Sequence, residues 1–383
     1  MKLLITSIVD LRKSQHNRPH QFVKYLSRKH DVTVLSINDW WKDRQGDLDS
    51  YSSEFEDVFN RVNIVYMTNR KVSPILQEVF STRRVKEVLR EEDFDVHLNY
   101  NTLVSGYVAS KDVKTVYDIA DDLSAMIRVS PQIPSFLRPF GGLLGDIMMK
   151  KNIKLSEKVT VTTETLIDTY GIPMEKSMVL PNGVDTTLFK DYGDDKKGEL
   201  GLDGFIIGYV GVLREWVDLE PVFMALKGLD EDVKFLVVGR EGRFKENIEL
   251  ASRCGVSDRV IFTGMVPYSE VPKYISAMDV CLIPFKVNAV SKNALPLKLF
   301  EYMACGKPVI STELPGVKRV ADKRVLYAST VEEYREKISL LYRDEDLRQK
   351  IGRDGEKLVK KNYNWENIVN RMEKLLLTIG GAS

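Results

Sequence analysis

Short apolar runs alternate with stretches of helical spacing along the whole chain, the pattern of parallel sheets with helices packed on both faces. In the first half the runs predict strands at Lys2 to Ser7, Val32 to Ser36, Asn63 to Tyr66, Val96 to Leu98, Thr115 to Asp118, Lys158 to Thr162 and Met178 to Leu180. In the second half they predict strands at Phe205 to Val210, Val233 to Val238, Val260 to Phe262, Val280 to Pro284, Val309 to Ser311 and Val325 to Tyr327. Pro181-Asn-Gly-Val-Asp185 is turn chemistry, and the polar DYGDDKKGELG after it has linker composition, so the boundary is expected near residues 186 to 203. That gives domains over 1–190 and 204–362. Beyond about residue 330 the chain is helical and charged, and residues 363–383, with apolar spacing from Trp365 to Ile379, read as a final helix packing back toward the first domain.

One segment departs from this pattern. Residues 134–154, PSFLRPFGGLLGDIMMKKNIK, place Phe136, Leu137, Phe140, Leu143, Leu144, Ile147, Met148 and Met149 ahead of Lys150, Lys151 and Lys154. An apolar face flanked by lysines suits an anionic membrane surface, and the alternative is a helix that covers the first domain's sheet.

Composition narrows the class. A chain of 383 residues, 43 % hydrophobic and 29 % charged, has the make-up of a soluble globular protein with two cores. A formal net charge of +1 supplies no basic field for nucleic acid. Cys254, Cys281 and Cys305 are widely spaced, which points to reduced thiols in a cytoplasmic protein. The opening MKLLITSIVD is too soon interrupted by charge to read as a signal peptide, and no segment approaches spanning length. The expected location is cytoplasmic, with peripheral contact at the inner face of the cell membrane through residues 134–154.

The richest chemistry lies in ALPLKLFEYMACGKPVIST, residues 294–312. Pro296 suits a first helical turn, Leu297, Phe300 and Ala304 recur at helical spacing, Gly306 suits a helix end, and Val309 opens the next strand. Lys298 and Glu301 then share a polar face near the helix N-terminus. A cation beside free helix N–H groups suits a diphosphate, and a carboxylate one turn on can accept hydrogen bonds from both ribose hydroxyls. After the strand at Val260, the loop Thr263-Gly264-Met265-Val266-Pro267 offers a glycine beside which a flat base ring fits, read by main-chain groups.

With LPNGVDTTLF (180–189), FLVVG (235–239) and RVIFTGMVPYSEVPKYISAMDVCLIPF (259–285), this segment resembles the retaining GT-B glycosyltransferases of family four, from Met1 to about residue 380. The resemblance implies an α/β fold of two facing Rossmann-like, doubly wound parallel-sheet domains with an interdomain cleft. It implies transfer of a hexosyl unit from a nucleotide-diphosphate sugar, UDP in preference to GDP, to a hydroxyl of a glycan or lipid-linked acceptor with retention. It implies no cofactor beyond that co-substrate and no metal. Donor contacts are expected on Glu301, Lys298, Lys286, Asn293, Gly211, Gly264, Met265, Val266 and Leu297, and the catalytic candidates are Lys298, Asp121 and, by its chemistry rather than its position, Arg214.

The departures are specific. Family members often carry two glutamates separated by seven residues, but eight positions before Glu301 this chain has Asn293, an amide that can hydrogen-bond a sugar yet cannot stabilise developing positive charge. Where the family's first loop of the second domain offers arginine and lysine, GYVGVLREWVDLEP has Val212 and Trp216, with Arg214 between them. The WVD variant followed by IPFKVN resembles a branch whose phosphate cations come from Lys286 and Lys298. In the first half, Arg18 and His20 of HNRPHQF are expected to line the cleft, Arg18 toward an acceptor phosphate, and His20 also suits a helix start. Asp121 and Asp122 end a strand where one can orient an acceptor hydroxyl or take its proton while another caps a helix. Asp47-Leu-Asp49 has metal-motif spacing but no strand leading into it, and is discounted. Two alternatives stand beside the transferase: a nucleotide-sugar epimerase of the same fold and a non-catalytic bilobal sugar-binding protein.

Overall fold

The computed structural model describes residues 1–14, 16–40, 55–193, 195–240 and 242–381. They form two units, Met1–Pro181 joined by the chain from Glu366 onward, and Asn182–Trp365. Asp47 and Asp49 lie outside the described residues.

In the first unit β1 (Lys2–Ser7), β2 (Asp31–Ser36), β3 (Asn63–Tyr66), β4 (Val96–Tyr100), β5 (Thr115–Ile119), β6 (Lys158–Val161) and β7 (Ser177–Val179) form one sheet in the order β3-β2-β1-β4-β5-β6-β7. In the second, β8 (Phe205–Val210), β9 (Val233–Val238), β10 (Val260–Gly264), β11 (Val280–Ile283), β12 (Val309–Ser311) and β13 (Leu326–Tyr327) run in the order β10-β9-β8-β11-β12-β13. Every ladder among the described residues is parallel. Each predicted strand is present. Strands covered on both faces read as unbroken apolar runs, as in β1, where Leu3, Leu4 and Ile5 have no exposed surface. The strand order reverses direction at β1/β4 and at β8/β11, which opens a crevice beyond the carboxyl ends of those strands in each unit.

The stretch with linker composition does not behave as one. The chain enters the second unit at Asn182; Phe189 is fully buried in that unit's core, and the Tyr192 N–H donates to Ser276 Oγ at 2.9 Å. Phe189 just before the polar stretch, Leu200 within it and Leu202 just after it pack on the second unit's core, which accounts for the difference. The last helix, Trp365–Gly380, buries Ile368, Val369, Met372 and Leu376, and Glu373 takes hydrogen bonds from Lys29 and His30 of the first unit at 2.9 Å each. All three cysteines are buried free thiols.

The first unit's core also holds polar groups that satisfy one another. His97 lies between Thr6 Oγ1 (2.9 Å) and Thr115 Oγ1 (3.0 Å), and burial pushes its pKa down to about 3, so the ring is neutral. The helix Arg138–Leu155 packs on the helix Leu123–Val129, with Gly142 and Gly145 inward and Asp146 paired with Arg128. No helix among the described residues is long and apolar enough to cross a membrane.

Candidate functional site

In the second unit the crevice at β8/β11 gathers most of the residues expected at a donor site. The helix Leu297–Ala304 begins after Pro296, and no side chain caps its N-terminus, so its first N–H groups are available to an anion. Its first turn presents Lys298, whose Nζ donates to Tyr209 Oη at 2.6 Å and lies 3.8 Å from the centre of the same ring. Tyr209 Oη in turn donates to the Val212 carbonyl at 3.0 Å. One turn on, Glu301 is buried, and its Oε1 accepts from Tyr268 Oη at 3.3 Å. Burial, opposed by the Glu301 charge, pushes Lys298 down to about 7; burial, opposed by Lys298 and Tyr268, pushes Glu301 up to about 7. Lys298 is half-buried by surface area and Glu301 is buried, and the two opposite charges act on each other.

Glycines at the ends of three adjacent strands make the floor. The Gly211 N–H donates to Val238 O at 2.8 Å, and the Gly239 N–H donates to Gly264 O at 2.9 Å. Gly211 has φ +127°, and a Cβ there would stand 2.9 Å from Lys298 Nζ. Gly239 has φ +140°, and its Cβ would stand 2.4 Å from the Gly211 carbonyl oxygen. Any side chain at either position would strain the backbone; at Gly211 it would intrude on the space beside Lys298, and at Gly239 it would collide with the Gly211 backbone. Met265 and Val266 are half-buried on the loop beyond Gly264.

A second set of contacts ties the loop after β8 to the loop after β11. The Asp218 N–H donates to Pro284 O and the Lys286 N–H to Trp216 O, both at 2.7 Å, and Val217 forms an antiparallel bridge with Phe285. Arg214 and Lys286 are exposed on these joined loops, and the charge of Arg214 reaches Tyr209, where it opposes the upward push of burial on the phenol. Asn293 is buried as the C-cap of the short helix Ala289–Lys292. Leu297 is half-buried at the helix start.

In the first unit Arg18 turns inward, and His20 and Asp122 take the helix-start and helix-cap places expected as their alternatives. Arg18 is 1 % exposed; Nε and Nη2 donate to the two oxygens of Asp118 at 2.8 and 2.9 Å, and Nη1 and Nη2 donate to the carbonyls of Pro181 and Leu180, both at 2.9 Å. It is an internal clamp rather than a phosphate ligand. His20 is the third residue of the helix Arg18–Leu26. Its Nδ1 accepts from the Asn17 N–H at 3.1 Å, so Nε2 carries the proton and donates to Leu11 O at 2.9 Å, which makes it half of a capping box. Asp122 is buried, capping the helix Leu123–Val129 through the Ala125 N–H (2.9 Å) and accepting from Tyr170 Oη (2.5 Å). Asp121 alone of this set is exposed, at the end of β5.

Sequence reading missed Tyr209, Tyr268 and Gly239. Tyr209 lies inside an apolar strand and reads as core; Gly239 carries a legible signal, a glycine directly after the run FLVV. Among the described residues no three His, Cys, Asp or Glu side chains form a metal-binding group.

This arrangement of two doubly wound units is the fold of the GT-B glycosyltransferases. Sucrose-phosphate synthase (tll1590) from Thermosynechococcus elongatus superposes over the full length of both chains with a TM-score of 0.81 at 17 % identity. Anabaena Alr3699/HepE, solved in complex with UDP-glucose, superposes with a TM-score of 0.76 at 19 % identity, covering 99 % of this chain and 100 % of that one. Residues 193–358, which fall within the second unit, match the family Glycosyl transferases group 1. Among curated relatives, "Putative teichuronic acid biosynthesis glycosyltransferase TuaH" of Bacillus subtilis (strain 168) is 31 % identical over 153 residues. That match takes in 38 % of this chain and spans 36 % of the relative's own length.

Proposed function

We propose that this protein transfers a hexosyl unit from a nucleotide-diphosphate sugar, with uridine as the base, to a hydroxyl of a glycan or lipid-linked acceptor, with retention. The observation that carries the reading is the pairing of Lys298, held over Tyr209 beside a glycine floor, with buried Glu301 one turn later. The diphosphate lies against Lys298 and the uncapped helix N-terminus, with Lys286 and Arg214 supplying further positive charge. Glu301 accepts from the ribose hydroxyls, the loop Gly264-Met265-Val266 lies against the base, and Asn293 hydrogen-bonds the sugar. In the reaction the bond from the anomeric carbon to the diphosphate oxygen breaks, its electrons stay on the diphosphate, and the acceptor oxygen forms the new bond as its proton passes to the Asp121 carboxylate. Cations and helix N–H groups stabilise the charge that develops on the leaving group. Asp121 is assigned to the acceptor hydroxyl. The uridine complex of a protein with the same fold supports the choice of base. Retention and membership of family four rest on the resemblance of the motifs, and the reaction is read as needing no metal. A lipid-linked acceptor keeps the enzyme peripheral at the inner face of the membrane, with residues 134–154 in contact.

A thermal-shift screen against uridine, guanosine and adenosine diphosphates and their common sugars tests the donor. Uridine compounds are expected to raise the melting temperature by mass action, and a shift confined to another base overturns that choice. Proton NMR of the UDP-sugar without acceptor is expected to show an unchanged donor; isomerisation would identify an epimerase instead.

Glu301→Ala is expected to weaken UDP binding by about tenfold or more while leaving kcat within about threefold, because the ribose contact is made equally in ground and transition states. Calorimetry and saturation kinetics separate the two, and unchanged affinity removes Glu301 from the ribose. A pH effect follows from Lys298. With its pKa near 7 the free site loses its ammonium charge as pH rises past neutrality, and a bound diphosphate favours regaining it. UDP affinity is therefore expected to fall above pH 7, and UDP binding at about pH 8 to take up a proton. Calorimetry in two buffers of different ionisation enthalpy reads that proton; equal heats in both would take Lys298 off the phosphate.

A further inference from the structure

We propose that the first unit carries a two-helix face that docks on an anionic lipid bilayer, made by the helix Pro74–Phe80 and the segment 134–154, which both pack on the helix Val104–Ala109. The inference rests on the membrane contact proposed above and widens it. Ten of the sixteen exposed large hydrophobic side chains among the described residues lie in these two places. Ile75, Leu76, Val79 and Phe80 project from the shorter helix; Phe136 (78 % exposed), Leu137, Phe140 (60 %), Leu143, Leu144 and Ile147 project from the longer segment. Such clustering marks an interaction surface, whereas single exposed apolar residues do not.

The two helices are joined. Both pack on the helix Val104–Ala109, and its Tyr107 ring lies under Lys111 Nζ (4.5 Å) and Lys151 Nζ (5.6 Å). Along Arg138–Leu155 the outward stripe Phe140, Leu143, Leu144, Ile147, Lys151 and Lys154 keeps helical spacing, while Gly142, Gly145, Met149 and Asn152 face inward. Apolar side chains occupy the first turns and lysines the last.

The charge around the apolar residues is of one sign. Arg70, Arg83, Arg84, Lys86 and Arg90 line a groove with Val79 and Phe80, and its acid, Glu87, is already paired with Arg83 and Arg84. In Arg138–Leu155 the acid is Asp146, paired with Arg128. This concentration stands out in a chain of net charge +1. A second copy docking by the same face would set like charges against each other. Anionic headgroups meet the cations while the acyl boundary takes the aromatic and aliphatic tips, and the lysine stems reach from one layer to the other.

Cosedimentation of the full chain with vesicles tests this. Binding to phosphatidylcholine vesicles with a third phosphatidylglycerol is expected to exceed binding to phosphatidylcholine alone by about tenfold and to weaken with salt. The variant Phe136→Ser/Phe140→Ser/Leu144→Ser and the variant Leu76→Ser/Val79→Ser are each expected to bind about tenfold more weakly. Both should keep the wild-type unfolding midpoint and UDP-induced thermal shift, since these side chains are exposed. Lys150→Glu/Lys151→Glu is expected to lose the preference for anionic vesicles. If Leu76→Ser/Val79→Ser binds as wild type while the triple variant does not, the two-helix face is overturned and contact through 134–154 alone stands. Equal binding to both vesicle types, or none, overturns the bilayer, as does a dimer that either variant dissolves. A failed thermal shift with intact vesicle binding would count against the donor reading only.

Discussion

Replacing Lys298 with methionine is expected to lower turnover by about 10²- to 10³-fold, the usual loss when one preorganised group is removed from a developing charge. Methionine keeps the bulk of the chain over the Tyr209 ring and removes only the ammonium, so the fold of the second unit should survive. UDP release from the UDP-sugar in the presence of acceptor measures the rate, and the unfolding midpoint controls for stability. Contrast with Glu301→Ala makes the test sharp. If Lys298 serves the leaving diphosphate, kcat falls along with kcat/KM; if it only binds donor, KM rises at constant kcat. Tyr209→Phe provides a second check. It removes the hydroxyl that the ammonium donates to at 2.6 Å, while the ring that lies 3.8 Å beneath it remains. A milder loss is expected there, and turnover within about threefold of wild type in Lys298→Met would remove the residue from the chemistry.

The second large effect is on stability. Arg18→Met is expected to destabilise the first unit by about 3–5 kcal/mol, because it leaves the Asp118 carboxylate buried without its counter-charge. Asp118 has no exposed surface, and its remaining side-chain donor is Thr160 Oγ1 at 2.5 Å. The same substitution frees the carbonyls of Leu180 and Pro181, where the first unit's chain ends before Asn182. Arg18→Lys should rescue little, since one ammonium cannot reproduce the two-pronged contact with both carboxylate oxygens. Urea unfolding at neutral pH measures the difference. A loss below about 1 kcal/mol would mean that Arg18 is not the clamp its geometry describes.

These two residues show how far the sequence could be read. Both were singled out as cations beside loops expected to bind anions. Lys298 was legible because helix position, proline and carboxylate all fall within one local stretch, Pro296 to Glu301, and local stretches carry their own geometry. Arg18 was not, because its partner Asp118 is one hundred residues away on β5, and Leu180 lies farther still. Asp122 was half legible: a capping aspartate was expected there, but Tyr170, which also donates to it, arrives from the helix Glu164–Tyr170. His20 was half legible, since Asn17 three residues earlier spells a capping pair. Tyr209 and Tyr268 gave no sign, one inside an apolar run and the other in a short turn.

The sequence by itself determined thirteen parallel strands in two sets and the helix that carries Lys298 and Glu301. Buried parallel strands are unbroken apolar runs and helix ends are written in nearby prolines and glycines, so local chemistry suffices for them. Only the tertiary structure decided which charges meet solvent and which meet each other. It turned Arg18 and Asp122 inward, drew Lys298 over Tyr209, and left the helix Pro74–Phe80 with its apolar side chains exposed. Burial of a charge depends on partners that remote strands bring to it, and no local pattern encodes that meeting.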